Sequence, residues 1–364
     1  MADIWVFSTL FGSRTKLARR HRSQPAKVDL GLNPVMMGLP GALPTPDDTD
    51  PLRETAVDTR PFQPCDDDAW IGEAICYGPH RDGQRPGGPG PTADQILEGL
   101  RLMRPRWRLL RTYGAAETAE TILAVIRADS LGMKVMLGAW IEPERGDGDQ
   151  GAPDTEKTDA NERECASAIR LANAYPDVVI AVCVGNETQV SWSRNRCSPA
   201  TLIARIRQVR AAVTVPVTTA DEFGYWREPA SREVARELDF VTLHAHPLWN
   251  GCSLDEALPW LDARLAEVRA THPVATLALG EVGWATDRGT EGDQGRQIAG
   301  RTDEASQTEF YRRYRAWVAD ARLASFWFEA FDENWKGSDD PHEVEKHWGL
   351  FRADRAPKPA LAAD

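Results

Sequence analysis

Nowhere in these 364 residues does an apolar run reach the ~18 residues that a membrane-spanning helix needs. No Cys-x-x-Cys occurs, and none of the six cysteines has a histidine at zinc-site spacing. Free thiols are expected, with Cys183 packing as a small hydrophobe inside an apolar strand. The Gly-x-Ser-x-Gly elbow of α/β-hydrolases is missing. Positive charge is in short supply: 43 Lys and Arg face 55 Asp and Glu, a net −12, a field that repels a nucleic-acid backbone or an anionic membrane surface. A neutral partner is compatible with it. Tyrosine is scarce as well, 6 against 13 tryptophans. Trp offers flat faces to sugars, although core filling is the expected role of most of them. The acidic stretch GDGDQG (146–151) lacks the spacing and terminal Glu of an EF-hand and reads as a flexible loop above a cleft.

What is present divides the chain in two. Residues 1–68 carry a basic patch (RTKLARRHRS) and a segment rich in Pro, Gly and Asp (GLPGALPTPDDTDP), with little periodicity; they read as an irregular or partly disordered extension. The N-terminal MADIWVFSTLFGSRTKLARR sets its charge after its apolar patch, the wrong order for a secretory signal. A soluble monomer of the cytoplasm or periplasm is expected. Residues 69–364 alternate. Apolar runs at 73–77, 107–112, 133–140, 178–184, 215–219, 239–243, 275–280 and 324–330 have helical patterns between them. Thr92 and Gln95 form a capping-box signature, and Ser198-Pro199 reads as an N-cap with Pro at the first helical position. Further helices are predicted near 116–130, 157–173, 229–237, 253–269 and 303–320. Near-continuous apolar strands suit a parallel sheet covered on both faces. Eight of them alternating with helices predict an α/β fold, a (β/α)8 TIM barrel; a doubly wound open sheet is the alternative.

In such a barrel the reacting groups sit where strands end. Strand 4 ends in Asn186-Glu187 and strand 7 in Glu281, each acid directly after an apolar run. A carboxylate there is costly unless it is neutralised, paired or used. Two facing carboxyl groups are what glycosidic cleavage needs: one protonated to release the leaving oxygen, the other ionised to attack the anomeric carbon or activate water. Asn186 adds an amide for the sugar 2-OH or the nucleophile.

The motifs VGNE (184–187) and GEVGW (280–284) resemble the acid/base and nucleophile motifs of glycoside hydrolase family 17. The tail FWFEAFDENWKGSDDPHEVEKHWGLF (326–351), YGPHRDGQRP (77–86) and RTYG (111–114) resemble the family's last strand and its first two strands, in the expected order. The resemblance implies a retaining β-1,3-glucanase or glucanosyltransferase barrel acting on a β-linked glucan, with no metal or organic cofactor. It implies Glu187 as acid/base and Glu281 as nucleophile. Glu333, Lys336 and Glu345 would support the nucleophile, a Lys near Glu281 keeping it ionised. Tyr77, Arg111, Tyr113 and Trp284 would surround the sugar. After strand 6 the chain departs from the pattern: HAHPLWNG puts Leu248 where a sugar-facing tyrosine is expected.

Other readings compete. His244 and His246, two apart on a strand end, point to the same side and suggest a metal-dependent barrel hydrolase. Strands 4 and 5 supply no further Lys or His ligand, so hydrogen bonding to substrate or to a catalytic Glu is the preferred role. Another β-linkage, or a non-catalytic sugar-binding barrel, completes the set; the latter would normally have lost one of the two acids.

Overall fold

The computed structural model describes residues 58–146 and 151–362. Residues 1–57, most of the extension, and 147–150 of the acidic loop lie outside the described residues. The eight anticipated strands form: β1 (Glu73–Cys76), β2 (Leu109–Arg111), β3 (Lys134–Ala139), β4 (Val179–Asn186), β5 (Val217–Glu222), β6 (Val241–His244), β7 (Leu277–Val282) and β8 (Ser325–Trp327). All neighbours pair in parallel, and β8 returns to β1, closing the barrel. The open-sheet alternative is thereby set aside. β7 is buried at every position, which is why it reads as an unbroken apolar run apart from its acid.

The main helices are α1 (Ala93–Met103), α2 (Ala119–Ala128), α3 (Thr155–Ala174), α4 (Pro199–Ala212), α5 (Leu254–Thr271) and α6 (Glu304–Ala321). Their starts are written in side chains. Thr92 and Gln95 bond reciprocally at α1, the Ser198 hydroxyl accepts from Thr201 N–H at α4, and Asp303 accepts from Ser306 N–H at α6. No continuous α-helix spans the predicted 229–237, although the segment is helical over 229–235. In its place stand a 3-10 turn (Pro229–Ser231) and one helical turn (Arg232–Ala235). At the junction the Ser231 hydroxyl meets the carbonyls of Trp226 and Glu228 and the His272 ring.

Five tryptophans (Trp107, Trp226, Trp284, Trp327 and Trp348) are fully buried, so core filling claims a large share of the tryptophans. All six cysteines are free thiols. On the barrel face opposite the strand C-termini, residues 58–68 pack against the barrel. Phe62 stacks on Phe240 with ring centroids 4.1 Å apart, and Arg60 binds Asp239 through its backbone N–H (2.7 Å) and its guanidinium.

Candidate active site

The loops after the strand C-termini enclose a cleft of about 630 Å3. Glu187 and Glu281 meet in it: each offers a carboxylate oxygen, and with a nitrogen of His244 these atoms lie within 4.8 Å of one another. Both acids are buried. Retaining glycosidases hold their two carboxyl groups ~5–5.5 Å apart, inverting ones ~6.5–9.5 Å; the spacing here belongs to the first class.

Each acid is aimed by its neighbours. Arg111, at the end of β2, donates from Nη1 to Glu281 Oε1 (2.7 Å) and to the Gly280 carbonyl (3.1 Å). Its Nη2 donates to Asn186 Oδ1 (2.6 Å), which turns the Asn186 NH2 group away from the guanidinium. Tyr113 donates its hydroxyl to the same Glu281 oxygen (3.0 Å), while among the described residues Oε2 has a single hydrogen-bond partner, His246 Nε2 at 3.3 Å. His244 spans the pair, with Nδ1 3.0 Å from Glu187 Oε1 and Nε2 3.5 Å from Glu281 Oε1.

These surroundings drive the two carboxyls apart. Burial, then the charges of Glu281, Asp221 and Glu222, push Glu187 well above the usual carboxylate range. Burial pushes Glu281 the same way, but His244, the His246 hydrogen bond and the Arg111 guanidinium outweigh it and hold Glu281 well below that range. Burial also lowers His244 to about 3, so at neutral pH this ring acts as a neutral dipole and Arg111 is the permanent charge beside Glu281. One acid is left protonated and the other ionised, with one oxygen of the latter lightly bonded.

The remaining site residues sort clearly. Tyr77, Tyr113, Asn186, Glu333, Lys336 and Glu345 line the cleft. Lys336 does not pair with the nucleophile candidate: its ammonium is clamped by Glu329 (2.7 and 2.8 Å) and Glu333 (2.9 Å). The cation beside Glu281 is Arg111 instead. Within the clamp, burial and the neighbouring Glu333 raise Glu329, while Lys336 and His80 hold Glu333 low against its burial. Glu345, buried beside Trp249 Nε1 (3.2 Å), is pushed up to about 8 chiefly by desolvation. Trp284 corrects the expectation of a sugar contact: it is fully buried, packs on Phe310 and donates Nε1 to the Arg301 carbonyl. Leu248 is fully buried too, so the substitution noted there does not touch the cleft; His246 is the residue of that segment that reaches Glu281.

Sequence reasoning passed over Trp140, Trp192 and Trp335, half-buried walls of the cleft. Trp140 closes an apolar strand run and Trp335 stands between Glu333 and Lys336, signals that were present; Trp192 sits in a loop with none. A metal would find its ligands in Glu187, His244 and Glu281, but the Arg111 guanidinium, 2.7 Å from Glu281, already provides the positive charge a cation would bring.

Residues 74–349 match the family model described as the BtgE/BtgC glycoside hydrolase domain. The chain belongs to that family. It is a glycoside hydrolase, and the resemblance to family 17 is borne out. A relative from Arthroderma benhamiae, named glucan 1,3-beta-glucosidase, is 30% identical over 292 residues, covering 76% of this chain and 86% of that one. The family 17 beta-1,3-glucanosyltransferase from Rhizomucor miehei superposes with a TM-score of 0.61 at 26% identity, over 79% of this chain and 95% of the other. An endo-laminarinase from Formosa gives a TM-score of 0.69 at 24% identity, over 78% and 85% of the two chains, a likeness of fold.

Proposed function

We propose that this BtgE/BtgC-family hydrolase cleaves β-1,3-linked glucan with retention, Glu187 serving as acid/base and Glu281 as nucleophile. The observation that carries the reading is the pair of carboxyls within 4.8 Å whose environments force opposite protonation states. Glu281 Oε2, the oxygen with the fewer partners, attacks the anomeric carbon while Glu187 gives its proton to the departing glycosidic oxygen. The bond from carbon to the leaving sugar breaks as the glycosyl–enzyme ester forms. Glu187, now ionised, takes a proton from the incoming hydroxyl, which displaces Glu281 and restores the starting configuration. Asn186 is poised to donate its NH2 to the sugar 2-OH. The half-buried indoles of Trp140, Trp192 and Trp335 offer stacking faces for neighbouring sugar rings. The 1,3 linkage is supported by the names of the relatives from Arthroderma and Rhizomucor.

Product analysis on linear β-1,3-gluco-oligosaccharides tests this, with NMR of the newly formed anomer and with Glu187→Gln and Glu281→Gln alongside. Short β-configured products from wild type, lost in both variants, are expected. Initial α-anomers would reject retention, and full activity in either variant would reject the site. A second reading, sugar transfer, is favoured by the likeness to the Rhizomucor transferase over 95% of its length. It predicts products longer than the starting chain from the same two glutamates.

A further inference from the structure

The turn that carries Glu187 is tied down by a carboxylate that takes no part in the chemistry above. Between the pairings Cys183–Thr218 and Asn186–Ala220, β4 holds one residue more than β5, a bulge at the end of the strand. Past it, Gly185 (φ +85°) and Glu187 (φ +52°) adopt left-handed backbone. For glutamate that conformation costs on the order of 1 kcal/mol and persists only where its surroundings impose it. Here β5 imposes it. Glu187 N–H donates to the Ala220 carbonyl (2.8 Å), and Gln189 N–H donates to Asp221 Oδ2 (2.8 Å). Asp221 is fully buried, and its other oxygen accepts Glu222 N–H at 2.9 Å.

We propose that Asp221 is a positioning residue for the acid/base: it holds the Gln189 amide of the turn after β4 and so aims the Glu187 carboxyl at His244 and the glycosidic oxygen. The inference rests on the assignment of Glu187 made above. The charges facing Glu187 come from Arg111 on β2, Asp221 and Glu222 on β5, His244 on β6 and Glu281 on β7. Of these, Asp221 alone bonds the backbone of the turn, while Glu222 spends its carboxylate on Gly224 N–H. Asp221 therefore acts through the turn's geometry, and wherever it is ionised its negative charge also favours the protonated form of Glu187.

The test exploits leaving-group chemistry in the full chain. A sugar leaving group needs a proton from Glu187; a 2,4-dinitrophenolate does not. The ratio kcat/KM reports glycosylation for both kinds of substrate. Asp221→Ala is expected to lose about 10- to 100-fold on a β-1,3-glucose trimer, within the range of general-acid catalysis. On the 2,4-dinitrophenyl glycoside of the β-1,3-linked disaccharide it is expected to lose less than about threefold, since no proton is required. Asp221→Asn, which keeps an oxygen for the amides, is expected to recover part of the loss. Its basic limb in the kcat/KM profile is expected to move to lower pH. Should Asp221→Ala fold poorly, Asp221→Asn carries both readouts. Equal losses on the two substrates, or none, with an unmoved basic limb, would overturn the inference. Glu187→Ala serves as reference. If it too loses equally on both substrates, or if wild type turns neither over, the acid/base assignment fails and takes the inference with it. If it shows the leaving-group contrast and the Asp221 variants do not, the assignment stands and only Asp221's role is refuted.

Discussion

Two buried carboxylates sit at opposite ends of this barrel, and both are bound by arginine. Asp239, on the face away from the cleft, has its oxygens filled: Oδ1 accepts from Arg60 N–H and Arg210 Nη2 (2.7 Å each), Oδ2 from Val217 N–H (2.7 Å) and Arg60 Nε (3.1 Å). Glu281 is served unevenly, with Arg111 and Tyr113 crowding Oε1 and a single 3.3 Å contact on Oε2. A carboxylate has about four acceptor directions. Where all are used the group is a staple; where one oxygen is held in reserve the group can react. Burial and an arginine partner are common to both, so neither identifies a nucleophile. The distribution of donors is what tells the two apart.

The strongest way to break this contrast is to neutralise each acid in turn. Glu281→Gln is expected to cut the turnover of the folded protein by about 10^4-fold or more, and to lower the melting temperature as well because the buried Arg111 loses its counter-charge. Asp239→Asn is expected to leave kcat of the folded protein unchanged and to destabilise it by about 3–5 kcal/mol, because two guanidinium groups lose their counter-charge in a buried place. Steady-state kinetics and thermal melts on the same preparations check both, and matching losses in both columns would erase the distinction.

A smaller effect sharpens the role of Arg111. In the proposed mechanism Glu281 must be ionised to attack, and the Arg111 guanidinium is the fixed charge beside it. Arg111→Gln is expected to reduce kcat/KM by about 100-fold and to move the acid limb of the pH profile to higher pH. An unchanged acid limb would shift the credit to His246.

The mildest effect concerns carboxyls whose burial outweighs whatever lowers them. Burial lifts Glu345 to about 8 and Asp221 and Glu222 to about 7 in the folded chain. Folded values above the unfolded ones mean that the stability these groups supply is complete below about pH 4 and is lost as pH rises through 7 to 8. The melting temperature is expected to fall between pH 6 and 9 by this contribution, and Glu345→Gln to flatten part of that slope. A melting temperature constant across the range would contradict it.

Much of this architecture was legible in the chain for a simple reason. Barrel strands buried on both faces must be apolar throughout, so eight short runs stood out, and an acid closing such a run, as Glu187 and Glu281 do, is conspicuous. Caps such as Thr92 and Ser198 wrote the helix starts in local chemistry. What failed to read was direction. Trp284 follows Glu281 by three residues, yet the chain turns beyond β7 and sends the indole to Phe310 rather than to the cleft. Lys336 sits in a family motif, but which of several acids it meets depends on the loop, and it meets Glu329 and Glu333. Asp221 carries no motif; its importance comes from a bulge on the neighbouring strand, and a one-residue excess in pairing is invisible until the pairing is known.

Gly78 marks where the cleft decides what charge it shows. A Cβ at that position would stand 2.3 Å from Glu333 Oε1, so the clamp on Lys336 closes only because position 78 is bare. With the clamp closed, the ammonium is spent inside the protein and presents no cation to a guest. A single methyl group there would force the Glu333 carboxylate to shift and leave Glu329 alone, through its two bonds, to hold the ammonium.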